Sequence, residues 1–416
     1  MKSTKILIGL LAAGLATSLA ACGGSPAPTN SGSNAAPSAQ SSQMYTWISS
    51  EGDRAQWQSF VEGAQKKDPN FNLTLDGPSF QEYWTKVKTR MNAPDAPCIL
   101  TTQAARAQEL KDILIPLDDL AKEAGLDLAQ YNEGMIKGMT VDGTVRAIPY
   151  DAEPMVLYYN KTMFKDAGLA EPTVNYTQAQ FISDAKALTK GDVKGFALAP
   201  DPGYPYLPLA FANGNAPVKD GALALTDPAF VADIQWTFDL AAKEKVAVAP
   251  NPADTTDVPM QGFQAGKVAM IIDGPWFYTS IREPMKDEVG VAVIPSASGQ
   301  PVGMIQGSGF GISAKCPDPK NAFANIMKIT TPEVVAFVGE TRGTVPSIES
   351  AIDGWAKGKP AGDVEVMKAL LAQGQPLVTT PTWNQFVTQF TQYSSDGTRG
   401  NKTAAEILDT IQKSVG

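Results

Sequence analysis

Two periodicities divide the chain. Residues 44–48 (MYTWI) make a short strand-like run, and Trp57, Phe60, Val61 and Ala64 then recur at the spacing of one helix face. Gly52 and Asp53 suit the start of that helix, and Pro69 stops it. Phe71, Leu73 and Leu75 alternate as in a second strand. Tyr83, Val87 and Met91 mark a second helix, ended by Pro94 and Pro97, and residues 98–100 read as a third strand. Strand and helix in alternation predict a mostly parallel sheet with right-handed crossovers, an α/β arrangement.

The pattern continues beyond this first unit. Residues 155–159 are strand-like, and residues 151–154 suit a crossing between domains. Helices are predicted over 161–168, over 177–189 (Phe181, Ala185 and Leu188 on one face) and over 230–242, where Asp227-Pro228 supplies a cap and a first-turn proline. Between them, 201–208 (DPGYPYLP) reads as a proline-rich loop holding Tyr204 and Tyr206. Residues 289–294 and the glycine-rich 305–313 (IQGSGFGIS) read as strands. Helical segments follow at 319–330 and 332–337, and segments at 370–377 and 383–393 read as helix or loop. The last segment, 403–415, has Thr403 and Glu406 as a capping box and Ile407, Leu408, Ile411 and Val415 as its buried stripe.

One stretch organises the rest. Residues 263–276 (FQAGKVAMIIDGPW) contain a continuous apolar run at 268–272, the pattern of a strand buried on both faces. Asp273-Gly274 breaks it and Pro275 suits the first turn of a helix. Trp276 therefore falls just past the carboxyl end of a strand, where open α/β sheets hold ligands. Its indole is either a plate for an apolar ring face or a core side chain under a loop.

Composition narrows the chemistry. The chain has 416 residues, enough for two or three domains. A net charge of −9 offers no large basic surface to neutralise phosphates, so nucleic acid is not an expected partner. There is no histidine, which removes the commonest general base and metal ligand and every Ser-His-Asp or Cys-His apparatus. Three widely spaced cysteines make no zinc motif, and no metal or cofactor is expected.

At the amino terminus Lys2 and Lys5 precede an apolar segment at 6–19, too short for a comfortable membrane span. It ends in LAAC, residues 19–22, which resembles the lipobox of bacterial lipoprotein signals. That resemblance implies a signal peptide over 1–21 and a lipid on Cys22, whose acyl chains hold a membrane at roughly 0.8 kcal/mol per buried methylene. The alternative is an ordinary secretory peptide that leaves Cys22 as a free thiol. Residues 22–43, rich in Ser, Ala, Pro and Gly, read as a flexible tether.

Taken in order, the leader and tether, TWIS, AIPYDAEPMVLYYNKTMFKDAGL, FQAGKVAMIIDGPW, GSGFGIS and TAAEILDTIQKSV resemble the extracellular solute-binding proteins of ABC importers. The class is the sugar-binding one typified by maltose/maltodextrin-binding proteins, and the likeness spans about residues 44–416. It implies a two-lobe periplasmic-binding-protein fold, each lobe a mostly parallel sheet flanked by helices, with the ligand in the cleft between. By this likeness one lobe is 44–152 plus 307–330 and the other 153–306 plus 331–416. The partners implied are a carbohydrate, such as a maltose/maltodextrin- or trehalose-type oligosaccharide, and the importer's permease. The protein would be a monomer held at the outer face of a cell membrane, or in a periplasm, by its lipid anchor alone.

The resemblance also nominates site residues. Trp276, Trp383 and Tyr204 or Tyr206 would be stacking plates. Glu153 would be the hinge carboxylate, with Asp151 beside it, and Glu51 or Asp53 would bind from the first strand-to-helix loop. Gln103 and Arg106 match a contacting loop, Gly307 and Ser308 would offer backbone N–H groups, and Arg342 would be a donor, with a surface salt bridge as its alternative role. Two departures stand out: no acidic residue ends the third strand (CILTT), and Tyr176 stands where tryptophan is common. Cys98 and Cys316 fall in one lobe, and an exported protein permits a disulfide between them.

Two other functions compete with the receptor. A secreted carbohydrate-active enzyme could work without histidine through two carboxylates, Glu51 and Glu153 being the pair to test. A receptor for an amino acid derivative, polyamine or metal chelate is the second.

Overall fold

The computed structural model describes residues 38–49 and 51–416. The expected signal peptide, Cys22 and the expected tether up to residue 37 lie outside the described residues. Among the described residues no helix is long and apolar enough to cross a membrane.

Two five-stranded sheets carry the fold, and they share one plan. In the first, Thr74–Asp76, Gln43–Tyr45 and Ile99–Gln103 run parallel, while Ser308–Ile312 runs antiparallel beside Ile99–Gln103 and is followed by Ala147–Pro149 at the edge. In the second, Ala247–Val248, Lys194–Ala197 and Val268–Asp273 run parallel, then antiparallel Val156–Asn160, then Val289–Ala292. The antiparallel strand of each sheet arrives from the other body, which is why it breaks the parallel rule of consecutive β-α-β units. A third, small sheet joins them: Met304–Gln306 pairs with Glu153–Pro154 on one side and Gln375–Pro376 on the other.

Each sheet has its own core. The first buries Trp57, Phe60, Tyr83, Ile99, Leu100, Phe310 and Ile326. The helix Pro332–Arg342 adds Val334, Val335 and Val338 to that core, packing along the helix Glu51–Gln65. The second buries Tyr158, Phe196, Phe230, Phe238, Ile271 and the stripe Ile407, Leu408, Ile411 and Val415. All six residues of Val268–Asp273 are buried, as a strand covered on both faces requires.

Helix ends follow the sequence signals. Thr403 and Glu406 form a capping box on Ala404–Val415, and Asp227 caps Pro228–Ala242 with proline in the first turn. Thr177 and Gln180 form a second capping box, on Gln178–Leu188. The loop expected over 201–208 is shorter than predicted. A helix, Tyr206–Ala212, opens within it, because Pro208 sits in the first turn where a missing N–H costs nothing. Cys98 and Cys316 are joined by a disulfide, their Cα atoms 4.7 Å apart. It closes one end of the ladder between Ile99–Gln103 and Ser308–Ile312, where the Ser313 N–H already donates to the Cys98 carbonyl at 2.8 Å.

Candidate functional site

The chain crosses between the sheets where residues 150–153, 305–308 and 344–347 lie side by side, and backbone bonds lace them together. Tyr150 N–H donates to Ser308 O at 3.0 Å, Ala152 N–H to Val345 O at 2.9 Å, and Ser347 Oγ to Pro149 O at 2.7 Å. Asp151 Oδ1 accepts the Ser308 N–H, a short side chain satisfying a donor where the strand pairing is interrupted. Gly307 makes the interruption. A Cβ there would fall 2.2 Å from Met135 Sδ and 2.8 Å from the Asp151 carbonyl, so no other residue fits.

Three charged side chains are buried at this crossing. Glu153 is 1% exposed, and neither carboxylate oxygen makes a well-formed hydrogen bond, the Val345 N–H and the Asp151 carboxyl lying beside it. Burial pushes its carboxyl well above the usual range, the Asp151 charge pushes the same way, and the Arg342 guanidinium opposes them. Burial likewise raises Asp151 to about 7, against the Ser308 N–H and Arg342. Arg342 itself is 8% exposed, lies over the Trp57 ring at 4.9 Å, and approaches Asp53 at 3.9 Å. Its Nε and Nη1 meet no protein acceptor. Asp53 also accepts the Ser49 N–H at 3.0 Å. Buried polar atoms without partners are expensive, so their concentration at one crossing marks a place built to meet something else.

Aromatic side chains adjoin this crossing from the second sheet. Asp273 ends its strand and accepts the Gly274 N–H at 2.7 Å, while Tyr158 Oη donates to the Gly274 carbonyl at 3.0 Å. Trp276 follows in the short turn Pro275–Phe277, which packs beside Glu153–Pro154. The Trp276 indole is half-buried and meets the half-buried Tyr204 edge to face, centroids 6.2 Å apart. A Cβ on Gly274 would sit 2.2 Å from that indole, so the glycine lets the ring lie on the backbone. Tyr204 ends a turn in which Asp201 Oδ1 accepts the Gly203 N–H at 2.7 Å. Gln306, paired directly with Glu153, brings its amide to within 3.7 Å of where a Cβ on Gly203 would lie.

Arg106 links the two bodies. Its Nη1 donates to Asn384 Oδ1 at 2.9 Å and to Glu109 Oε2 at 3.1 Å, and the guanidinium lies 4.9 Å from the Trp84 ring. Gln103 is half-buried at the end of its strand, opposite Ser308.

Three nominated residues, Tyr206, Trp383 and Glu51, fall elsewhere, and others sit at the crossing in different roles. Tyr206 is fully buried between Phe238 and Phe390, at 5.6 and 5.0 Å, because the turn after Tyr204 becomes a helix that points it into the core. Trp383 is 3% exposed and packs on Phe386 at 4.8 Å, a core side chain at a helix start. The Glu51 carboxylate is fully solvated, 94% exposed, with Arg54 3.9 Å away. Ser308 stands at the crossing, but its N–H is already held by Asp151. Arg342 is buried, not part of a surface salt bridge. Sequence reasoning passed over Asp201, Asp273 and Gln306. Asp273 was open to discovery by the strand-end argument that selected Trp276, and Asp201 by the turn that selected Tyr204.

The chain matches the model of the family described as bacterial extracellular solute-binding protein over residues 48–336. It is 25% identical over 396 residues to the diacetylchitobiose binding protein DasA of Streptomyces coelicolor, covering 91% of this chain and 89% of that one. It is 24% identical over 404 residues to the sn-glycerol-3-phosphate-binding periplasmic protein UgpB of Escherichia coli, covering 88% and 89%. In fold it resembles an ABC substrate-binding protein from Listeria monocytogenes in complex with cycloalternan, with a TM-score of 0.78 at 19% identity over 90% of this chain and 97% of that one. With two lobes joined by crossing strands and a family match over most of its length, this chain belongs to the bacterial extracellular solute-binding proteins.

Proposed function

We propose that this protein is the receptor of an ABC importer that captures a carbohydrate, an oligosaccharide of maltose/maltodextrin or trehalose type or one of similar length, and delivers it to the permease. The observation that carries this reading is the half-buried Trp276–Tyr204 pair beside the crossing that holds the buried Glu153 and an Arg342 whose Nε and Nη1 meet no protein acceptor. Sugars need both kinds of contact: flat rings for their apolar faces and charged partners for their hydroxyls. The names of the relatives point the same way, since diacetylchitobiose, glycerol phosphate and cycloalternan are all hydroxyl-rich.

Closure of the two lobes around the guest is the mechanism we propose, a shift of population toward a state in which sugar bridges both sides. The lobes divide as the resemblance implies, except that residues 331–342 go with the first lobe, because Val334, Val335 and Val338 are buried in its core. Cys22 carries the lipid, and residues 23–43 give a monomeric receptor reach to its permease. A glycosidase pairing Glu51 with Glu153 is disfavoured, one being solvated and the other buried.

A thermal-shift panel of mono-, di- and oligosaccharides, with amino acids as controls and a glycoside-turnover assay beside it, tests the reading. A rise in melting temperature with a sugar and no turnover supports it. No shift with any hydroxyl-rich compound, or turnover of a glycoside, sinks it.

A further inference from the structure

The corner of the site around Tyr204 and Trp276 carries one sign of charge. Tyr204 lies within electrostatic reach of Asp201, Asp257 and Asp273, all carboxylates. Asp273 is 2% exposed, and Asp257, again an acid, acts on it. Its hydrogen bonds come from the Gly274 N–H and the Trp276 indole, neutral donors both. Two cations act on acids here and each has an acidic neighbour of its own: Arg106, which acts on Asp201, is held by Glu109 and Asn384, and Arg342, which acts on Glu153, lies over Trp57 and approaches Asp53.

The buried carboxylate of Glu153 points the same way. Residues directly opposite in an antiparallel pair project on the same face of the sheet. Glu153 stands opposite Gln306, and the Gln306 amide lies against Gly203 in the Asp201–Tyr204 turn. The buried Glu153 carboxylate therefore shares a face with that turn. Tyr158, which donates to the Gly274 carbonyl, is within electrostatic reach of both Glu153 and Asp273 and ties the two carboxylates to one corner.

Two aromatic rings at right angles, backed by acids that form no salt bridge among the described residues, match the chemistry of an ammonium site. Aromatic faces attract a cation, and desolvation strengthens the attraction. A buried carboxylate is costly until an opposite charge joins it.

We propose that this corner binds a positively charged nitrogen carried by a hydroxyl-rich guest, either the protonated amine of an amino sugar or a quaternary ammonium head. The inference rests on the receptor reading above and narrows its substrate class.

Titration calorimetry on matched pairs tests it. One pair is the β-1,4 dimer of glucosamine against cellobiose, at a pH where the amine is protonated, with the N-acetylated dimer as a third member. The other is glycerophosphocholine against its isostere with tert-butyl in place of the trimethylammonium, which keeps the same phosphodiester charge. The expected result is that the cationic member of at least one pair binds about tenfold tighter, and which pair shows it identifies the source of the charge. Asp273→Asn keeps an acceptor for the Gly274 N–H, and Glu153→Gln keeps the side-chain volume. Either should narrow the gap between cationic and neutral members while melting like the parent. If the neutral or acetylated member binds as tightly as its cationic counterpart in both pairs, the ammonium site is wrong and the receptor reading stands. If none of these compounds nor any neutral oligosaccharide binds, the receptor reading falls and takes the ammonium site with it.

Discussion

Asp151 and Glu153 stand two residues apart on one crossing segment, both buried, and both prefer to hold a proton. Burial pushes the Asp151 carboxyl up from its ordinary value of 3.8 to about 7. A raised folded-state value means that its stabilising contribution is complete below about pH 4 and is lost as pH climbs through about 7. The unliganded protein should therefore melt at progressively lower temperature across that window, and Asp151→Asn, which keeps an acceptor for Ser308, should flatten the slope. Melting curves at closely spaced pH values check this; an unchanged slope in the variant would place the titration on other groups. Trp276→Ala removes a half-buried plate and no part of either sheet. It should weaken sugar binding about tenfold or more, within the range for an aromatic contact plus its buried area, with the melting temperature of the free protein nearly unchanged. Calorimetry and thermal unfolding read the two halves of that prediction. Tyr206 and Trp383 show where such reasoning stops in sequence alone. Both are aromatics in proline- or threonine-rich stretches next to candidate plates, and whether each turns outward or into a core is fixed by helix starts at Tyr206 and Trp383. Those starts answer to packing against Phe238, Phe386 and Phe390, which no local pattern reveals.

The turn that follows Val268–Asp273 shows how strand, break and plate depend on one another. The buried strand delivers Asp273, Asp273 holds Gly274, and Gly274 leaves room for the indole. Gly274→Ala would put a methyl group 2.2 Å from the ring, so the indole must move off the backbone. Affinity should fall about as far as in Trp276→Ala, with little change in the secondary structure seen by circular dichroism; wild-type affinity would mean that the ring position is irrelevant to binding. Most elements were legible because their signals are local. The Thr403–Glu406 box, the Asp227-Pro228 cap and the apolar run at 268–272 each state their own boundary. Residues 332–337 declared a helix but not its neighbours, since a stripe of valines packs equally well on either core. Arg342, at the end of that helix, was ambiguous for the same reason: its burial comes from Trp57, nearly three hundred positions earlier.

Both lobes are assembled from distant stretches of chain, and the disulfide between Cys98 and Cys316 ties the first of them across 218 positions. A loop of that length gives an entropic stabilisation of up to about 5 kcal/mol. Reduction, or a Cys98→Ser/Cys316→Ser double variant, should lower unfolding free energy by about 2–5 kcal/mol in a denaturant titration, with the second core losing less protection from hydrogen exchange than the first. The staple also brackets every residue of the second sheet, from Val156 to Ala292. A protease that nicks any loop in that interval leaves two polypeptides still fastened to one another, so a clipped receptor would migrate as an intact species until a thiol is added.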